Sequence, residues 1–140
     1  MEETSAGAVI FRIEKSRVLF LLLHYPSGHW DFVKGKMEKG ESFVQTIVRE
    51  TEEETGISDV VFVDGFKKWI RYEFQHEGYT INKKVVFFLG RTWTKNVSIS
   101  HEHLDYTWED YETAMEKITF DNAKSVLTES KRLLEKTLRM

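Results

Sequence analysis

Short apolar runs separated by polar turns dominate the first two thirds of the chain and predict β-strands. The runs Ala6–Ile13 and Arg17–Leu23 are divided by Glu14-Lys15-Ser16, which predicts two paired strands. The second run is almost unbroken, as expected of a strand that is buried on both faces. Val60–Phe66 and Leu104–Trp108 are further strand candidates. These segments predict a sheet that supplies much of the core.

A longer stretch, Lys68–Gly90, predicts a β-hairpin that turns near Glu77-Gly78. Its most apolar part, Val85–Leu89, is expected to be the most buried. The segment between His24 and Glu41 is long for a connection and contains several glycines. Because it also carries many aromatic and apolar residues, we expect a functional loop and not a disordered one.

A helix is predicted to begin at Ser42 and to end at Gly56. Ser42 and Gln45 have the spacing of a capping box, and Gly56 suits the left-handed position that ends a helix. At the helical period, one stripe is expected to face the core: Val44, Ile47, Val48, Thr51 and Thr55. A second stripe brings together Glu50, Glu53 and Glu54, because positions three and four apart are neighbours. Glu52 is expected to face water.

Two later segments, Glu109–Ile118 and Asp121–Leu138, also have a helical pattern. The core-facing stripe of the last helix is predicted to be Phe120, Ala123, Val126, Leu127, Leu133 and Leu134. Strands on both sides of one helix, with further helices at the end, predict an α/β (α+β) fold with a mixed sheet between helices. A length of 140 residues suits one domain, residues 1–140.

The composition narrows the class of protein. Hydrophobic residues make up 41% of the chain, which is enough for a packed core, and the net charge of −3 does not favour nucleic-acid binding. There is no cysteine, and no apolar run is long enough to cross a bilayer. The first residues lack the pattern of a secretion signal. We therefore expect a cytoplasmic protein with no membrane contact, no nucleic-acid ligand and no obligate protein partner.

The candidate chemistry lies in the carboxylates at the end of the first predicted helix. Glu50, Glu52, Glu53 and Glu54 crowd together just before Gly56. Like charges at this spacing repel one another, and the helix dipole disfavours anions at a C-terminus. An acidic run is often only a solvated face, but here no lysine four residues on relieves it. A divalent cation would do so, and Mg²⁺ prefers hard oxygen ligands shared with substrate phosphates.

Lysines precede the acidic run and are candidates for binding phosphate oxygens. They are Lys34, Lys36 and Lys39. Phosphate is the natural substrate group for such a site, because charge neutralisation and positioning do most of the work in phosphoryl transfer. The alternative interpretation is that these lysines are simply solvated.

The spacing of these residues resembles the Nudix box, G-x5-E-x7-R-E-U-x-E-E-x-G-U. The matching positions are Gly35, Glu41 and the run Arg49–Ile57, with Thr51 as the one departure from an aliphatic preference. The resemblance implies a Nudix-type α/β/α sandwich and hydrolysis of a nucleoside diphosphate linked to another moiety. It implies Mg²⁺, or Mn²⁺ in its place, as cofactor. The implied ligands are Glu50, Glu53, Glu54 and the carbonyl of Gly35. Glu41 and Arg49 would form a structural ion pair.

The flanking segments resemble the diadenosine tetraphosphate hydrolase branch of that family. These segments are Phe20–Glu41, with its His29-Trp30 pair and Lys34-Gly35, and Ile99–Trp108. The resemblance implies that Glu102 approaches the metal, that Lys83 contacts phosphate and that Tyr72 stacks on adenine. Lys34, Lys36 and His29 are the other expected substrate contacts. A second base-stacking aromatic of that branch has Leu133 as its nearest match here.

The expected reaction is asymmetric cleavage of diadenosine tetraphosphate to ATP and AMP, with Glu50 as the first choice of general base and Glu53 as the second. Several alternatives stay open at the level of sequence. Other Nudix substrates are ADP-ribose, oxidised nucleotides, diphosphoinositol polyphosphates and RNA 5′ ends. A non-catalytic nucleotide-binding module is less favoured, because all three glutamates of the box are present. A nucleotide-sensing regulator is a third class, but the length leaves no room for a DNA-binding domain. His101 and His103 are interpreted as surface residues or, less favoured, as substrate contacts.

Overall fold

The architecture is a mixed β-sheet between helices, seen in a computed structural model that describes residues 2–138. Within these residues there are eight strands and three helices. The strands are β1 (Glu2–Glu14), β2 (Arg17–His24), β3 (Trp30–Asp31), β4 (Val33–Lys36), β5 (Val61–Phe62), β6 (Lys68–His76), β7 (Tyr79–Arg91) and β8 (Asp105–Glu109). The helices are α1 (Phe43–Thr55), α2 (Tyr111–Lys117) and α3 (Asp121–Leu138).

Two long strands, β1 and β7, run parallel to each other through the centre of the sheet. The other pairings between described strands are antiparallel. The Ser5–Ala8 part of β1 pairs with β4, whereas its Phe11–Glu14 part pairs with β2. β6 covers the first part of β7, and β5 covers its end. The sheet therefore divides beside β1, where β4 pairs with one part of that strand and β2 with the other. β4 is an edge strand and lies next to α1.

The core has two layers because the central strands are buried on both faces. Alternate residues of β2 point to opposite sides: Phe20 and Leu22 pack with α2 and α3, and Leu21 and Leu23 pack with Ile47 of α1. β1 and β7 alternate in the same way. This arrangement is the predicted α/β/α sandwich, and it confirms the fold class. The two-sided burial of β2 was also correctly predicted.

The structure corrects several strand boundaries. The supposed loop between His24 and Glu41 contains the short strands β3 and β4. The strand predicted over Val60–Phe66 is reduced to the two residues of β5. The hairpin of β6 and β7 turns at Glu77 and Gly78 as predicted, and both residues have positive φ. Paired positive φ values match the twist of the adjoining strands, so the turn sets the register of the hairpin.

Two of the helical stripes were partly wrong. In α1, Val44 and Val48 are exposed, and the buried residues are Thr46, Ile47, Thr51, Glu54 and Thr55. In the stripe assigned to α3, Phe120 is 48% exposed and precedes the first helical residue. Because Phe120 lies outside the helix, the helical period does not fix the direction of its side chain. Leu133 is half-buried and packs against the core.

No helix within residues 2–138 is long and apolar enough to cross a membrane.

Candidate active site

Helix α1 carries the acidic residues, and its two ends fix their position. Ser42 accepts a hydrogen bond from the backbone N–H of Gln45 at 3.1 Å, and the Gln45 side chain accepts one from the Ser42 N–H at 2.8 Å. This reciprocal pair is the predicted capping box. Gly56 ends the helix in the left-handed region, with φ of 75°. Glu50, Glu53 and Glu54 therefore lie in the last turns of a helix whose register is set at both ends.

An ion pair joins α1 to the loop before it. Arg49 Nε lies 2.7 Å from Glu41 Oε2, and Arg49 Nη2 donates to Glu41 Oε1 at 3.0 Å. Nη2 also donates to the carbonyl of Lys36 at 3.1 Å, so one guanidinium ties β4, loop and helix together. Hydrogen bonds from Arg49 lower the pKa of Glu41 to about 2. Bidentate arginine–carboxylate pairs of this kind fix geometry as well as charge.

Glu50 lies against the backbone of β4 at Gly35. A Cβ added to Gly35 would stand 2.0 Å from Cδ of Glu50, so no other residue fits there without displacing that carboxylate. Arg49 Nη1 also reaches Glu50 Oε1 at 2.8 Å. The glycine of the sequence motif is thus explained by a close approach of backbone and carboxylate.

Glu54 is the most unusual carboxyl group of the cluster, because it is only 4% exposed. Its Oε2 is buried and has no hydrogen-bond partner. Burial, together with the nearby carboxylates of Glu50, Glu102 and Glu53, raises the pKa of Glu54 to about 9. A buried carboxyl oxygen without a partner costs free energy, and the ionised form of Glu54 would need a donor or a cation at this oxygen.

The other predicted ligands stand further out. Glu53 is turned toward solvent, with its Oε2 3.3 Å from Arg49 Nη1, and Glu102 is exposed. As the side chains stand, no group of three or more His, Asp or Glu residues within 2–138 is arranged to hold a metal ion. The unpartnered oxygen of Glu54 and the glycine cradle of Glu50 nevertheless fit a divalent cation. The donors are hard carboxylate oxygens, the type that Mg²⁺ prefers.

A cleft of about 1130 Å³ adjoins the acidic cluster at Gly35 and Tyr25. Its lining residues include the predicted substrate contacts Lys34, Lys36, Lys83, Tyr72 and His29. The acidic side chains of Glu50, Glu53, Glu54 and Glu102 do not line the cleft itself. Cleft and carboxylates therefore meet at the β4 edge, on either side of Gly35.

The lysines of the cleft differ in their surroundings. Lys34 Nζ lies 2.9 Å from Asp31 Oδ2, and both side chains are nearly buried. Burial would lower the pKa of Lys34, but Asp31 and Tyr72 outweigh it, so the pKa is raised. Burial lowers the pKa of Lys83, and the positive charge of Lys34 lowers it further. Lys36 is exposed and pairs with Glu3 at 3.2 Å. An anion that entered the cleft would relieve the repulsion between Lys34 and Lys83.

Aromatic side chains flank the lysines. Tyr72 is half-buried, and its cross-strand partner in the hairpin is Lys83. Phe120 also lines the cleft, with a ring centroid 5.2 Å from that of His29. His29 in turn stacks on Tyr25 at 4.8 Å. Leu133, the nearest sequence match to a second base-stacking aromatic, packs in the core, whereas Phe120 lies at the cleft.

Two residues of this site were missed or misjudged at the level of sequence. Phe120 had been assigned to the core. Its position between the two predicted helices was the signal that the helical period does not apply to it. His103 had been interpreted as a surface residue, but it is only 7% exposed and its Nε2 lies 3.0 Å from Glu54 Oε1. No periodicity links positions 54 and 103, so sequence reasoning had no means of pairing them. His101 is exposed, as expected.

Comparison with known proteins gives a consistent result. A family profile for the NUDIX domain matches residues 1–129. The asymmetrical bis(5'-nucleosyl)-tetraphosphatase of Sus scrofa is 32% identical over 142 residues, covering 93% of this chain and 94% of that protein. The protein of the same name from Mus musculus is 33% identical with the same coverage. A solved binary complex of the C. elegans Ap4A hydrolase has a TM-score of 0.80 at 28% identity, covering 94% of this chain and 97% of that one.

Proposed function

This chain belongs to the NUDIX domain family, and we propose that it is a divalent-cation-dependent hydrolase that cleaves diadenosine tetraphosphate asymmetrically into ATP and AMP. The observation that carries the proposal is the cleft, whose aromatic walls and lysines lead to the carboxylates at Gly35. The names of the relatives that align along nearly the whole chain support this choice of substrate.

The aromatic walls are suited to a nucleobase. Tyr72 and Phe120 both present ring surface to the cleft, and stacking on an aromatic side chain contributes roughly 1–3 kcal/mol per base. His29 supports Phe120 through its ring contact and is itself held by Tyr25. We assign the second stacking role to Phe120 in place of Leu133.

The lysines are suited to the phosphate chain. Asp31 holds the ammonium of Lys34, so this charge is already fixed before the substrate arrives. Lys83 lies beside the Tyr72 platform and contacts the phosphates nearest the stacked base. Lys36 can exchange its partner Glu3 for a phosphate oxygen, because the lysine side chain is exposed and an ion pair at the protein surface contributes little free energy.

The carboxylates supply the reactive end. Glu50, Glu53, Glu54 and Glu102, with the carbonyl of Gly35, would hold the cation. A bound Mg²⁺ or Mn²⁺ neutralises phosphate charge and makes a nearby water more acidic. Glu50 is our first choice to take the proton of the attacking water, with Glu53 second. Arg49 keeps Glu50 in place through its contact at 2.8 Å.

The products are unequal because one end of the substrate is fixed. A base stacked at Tyr72 or Phe120 and a reactive centre at Gly35 set a constant distance along the phosphate chain. Water then attacks the phosphorus that becomes part of AMP, and ATP is the leaving group. The cut would fall at another bond only if the base were held elsewhere.

The test is hydrolysis of diadenosine tetraphosphate with Mg²⁺ in water labelled with heavy oxygen, followed by mass spectrometry. We expect ATP and AMP, with the label in AMP, and almost no product from the Glu50→Gln variant. Label in ATP would mean attack at the other phosphorus, and two molecules of ADP would mean symmetric cleavage. Turnover of ADP-ribose, an oxidised nucleotide, a diphosphoinositol polyphosphate or an RNA 5′ end, without this cleavage, would assign another NUDIX substrate.

The base-binding role of Phe120 has a separate test. Phe120→Ala and Tyr72→Ala should each raise KM by roughly 5- to 150-fold, the equivalent of one lost stacking contact, and should change kcat little. Trp93→Ala is the matched control, because Trp93, like Phe120, is an exposed aromatic residue but does not line the cleft. An unchanged KM in Phe120→Ala would mean that Phe120 does not bind the base.

A further inference from the structure

The loop between β7 and β8 is docked on the end of α1 by its backbone. The N–H of Ser98 donates to the carbonyl of Thr55 at 3.0 Å, and that of Ser100 donates to the carbonyl of Glu54 at 3.1 Å. Both acceptors belong to the last helical turn, whose carbonyls have no partner inside the helix. At the other end of the loop, the N–H of Leu104 donates to the carbonyl of His24 at 2.9 Å. The loop is thus fixed on both sides of its one buried imidazole, His103.

The His103 ring is enclosed on three sides. Its Nδ1 lies 3.2 Å from Ser100 Oγ, and the ring of Tyr25 meets it edge-on with centroids 4.7 Å apart. Its Nε2 lies 3.0 Å from Glu54 Oε1, and the exposed fractions of the two side chains are 3% and 5%. Nε2 is buried and has no aligned hydrogen-bond partner, so Glu54 is the polar group it faces. A histidine that only filled space would not bring this nitrogen to a buried carboxyl group.

The contact with His103 makes the two carboxyl oxygens of Glu54 different. Oε1 faces the imidazole, while Oε2 is buried without a hydrogen-bond partner. A carboxyl group that is held at one oxygen can present only the other to a ligand, and outer partners of this type commonly orient metal ligands. A Ser100 hydroxyl that donates to Nδ1 selects the tautomer whose Nε2–H points toward Glu54.

We propose that His103 is a positioning residue, which holds Oε1 of Glu54 and thereby presents Oε2 to the divalent cation. Ser100 is the support that orients the His103 ring. The inference rests on the metal site of the proposed function but not on the identity of the nucleotide. It assigns His103 no contact with the substrate.

The experiment measures Mn²⁺ affinity by electron paramagnetic resonance in the absence of nucleotide. His103→Leu removes the nitrogen and keeps an apolar side chain that can be buried, whereas His103→Gln keeps an N–H donor. We expect His103→Leu to weaken Mn²⁺ binding about 10- to 100-fold, the usual effect of losing an outer partner of a ligand. His103→Gln should recover most of the affinity. His101→Leu is the matched control in the same loop, and it should bind Mn²⁺ like the wild type.

Two further readouts separate positioning from a general structural effect. Melting temperatures without metal should be similar for His103→Leu and His103→Gln. With saturating Mg²⁺, the KM for the nucleotide should be unchanged in His103→Leu, while the Mg²⁺ concentration for half-maximal rate should rise.

Several results would overturn the proposal. Wild-type Mn²⁺ affinity in His103→Leu would do so, and so would equal losses of affinity in the Leu and Gln variants together with lower melting temperatures. A wild-type protein that binds no Mn²⁺ would remove the metal site and this inference with it. Normal Mn²⁺ binding without cleavage of diadenosine tetraphosphate would contradict only the proposed substrate.

Discussion

Replacing Glu54 by Gln should stabilise the metal-free protein, and the gain should grow as the pH rises. Burial and the neighbouring carboxylates raise the pKa of Glu54 to about 9 in the folded chain, above the ordinary value of 4.5. Stability contributed by the neutral carboxyl group is complete below the unfolded pKa, and it is lost progressively as the pH rises toward the folded pKa. Gln is neutral throughout and has no such loss.

The size of the effect follows from the same two pKa values. Each pH unit between them lowers the free energy of unfolding of the wild type by about 1.4 kcal/mol, because the folded state retains a proton that the unfolded state releases. At pH 7 the accumulated loss of unfolding free energy in the wild type is about 3 kcal/mol. For a chain of this length, roughly 3 °C of melting temperature corresponds to each kcal/mol, so Glu54→Gln should melt roughly 10 °C higher at pH 7. Near pH 5 the two proteins should melt alike.

The assay is thermal unfolding, followed by circular dichroism in the presence of a chelator, at intervals from pH 5 to pH 9. Glu52→Gln is the matched control, because Glu52 belongs to the same helix but is exposed. Its effect should be small and independent of pH. Added Mg²⁺ should stabilise the wild type most at high pH and should leave Glu54→Gln almost unchanged, since the cation replaces the bound proton.

A difference between wild type and Glu54→Gln that stays constant from pH 5 to pH 9 would refute this reasoning. It would mean that Glu54 is solvated in the metal-free protein and titrates at its ordinary pKa. A destabilised Glu54→Gln would mean that the carboxyl group has a structural partner that the amide cannot replace.

Three further predictions concern the frame around the carboxylates. Arg49→Ala should lower the free energy of unfolding and reduce the rate about 100-fold, because it removes the cation that binds Glu41 and releases the loop; urea unfolding and initial rates test this, and normal values would contradict it. Gly35→Ala should also reduce the rate about 100-fold, since its Cβ would occupy the place of Glu50, and a crystal structure should show Glu50 displaced. Ser42→Ala should cost about 1 kcal/mol of stability with KM unchanged, and an altered KM would show that the cap does more than begin the helix.

The sequence was informative wherever a residue's environment depends on its neighbours in the chain. The two-sided burial of β2, the capping box at Ser42 and the close of α1 at Gly56 depend on local patterns, and each was predicted correctly. The position of the acidic residues at the end of α1 followed from the same register. Two-sided burial was visible because an unbroken apolar run has no polar face to expose.

Contacts between distant segments could not be predicted in this way. His103 meets Glu54 through a loop that begins after β7, and Phe120 reaches the cleft because the chain bends between α2 and α3. Neither residue shares a period with its partner. The short strands β3 and β4 were missed for a related reason: each is held by a long strand that lies elsewhere in the sequence.

Helix α1 departs from the orientation that its apolar pattern predicts. Burying Val44 and Val48 would be favourable by roughly 1 kcal/mol each for the surface now left in water, yet both remain exposed. The helix instead turns Thr51, Thr55 and Glu54 inward. This orientation brings Glu54 to His103 and Glu50 to Gly35, at a cost in stability that the apolar pattern alone would have avoided. The exposed valines and the buried glutamate are therefore two consequences of one orientation of α1.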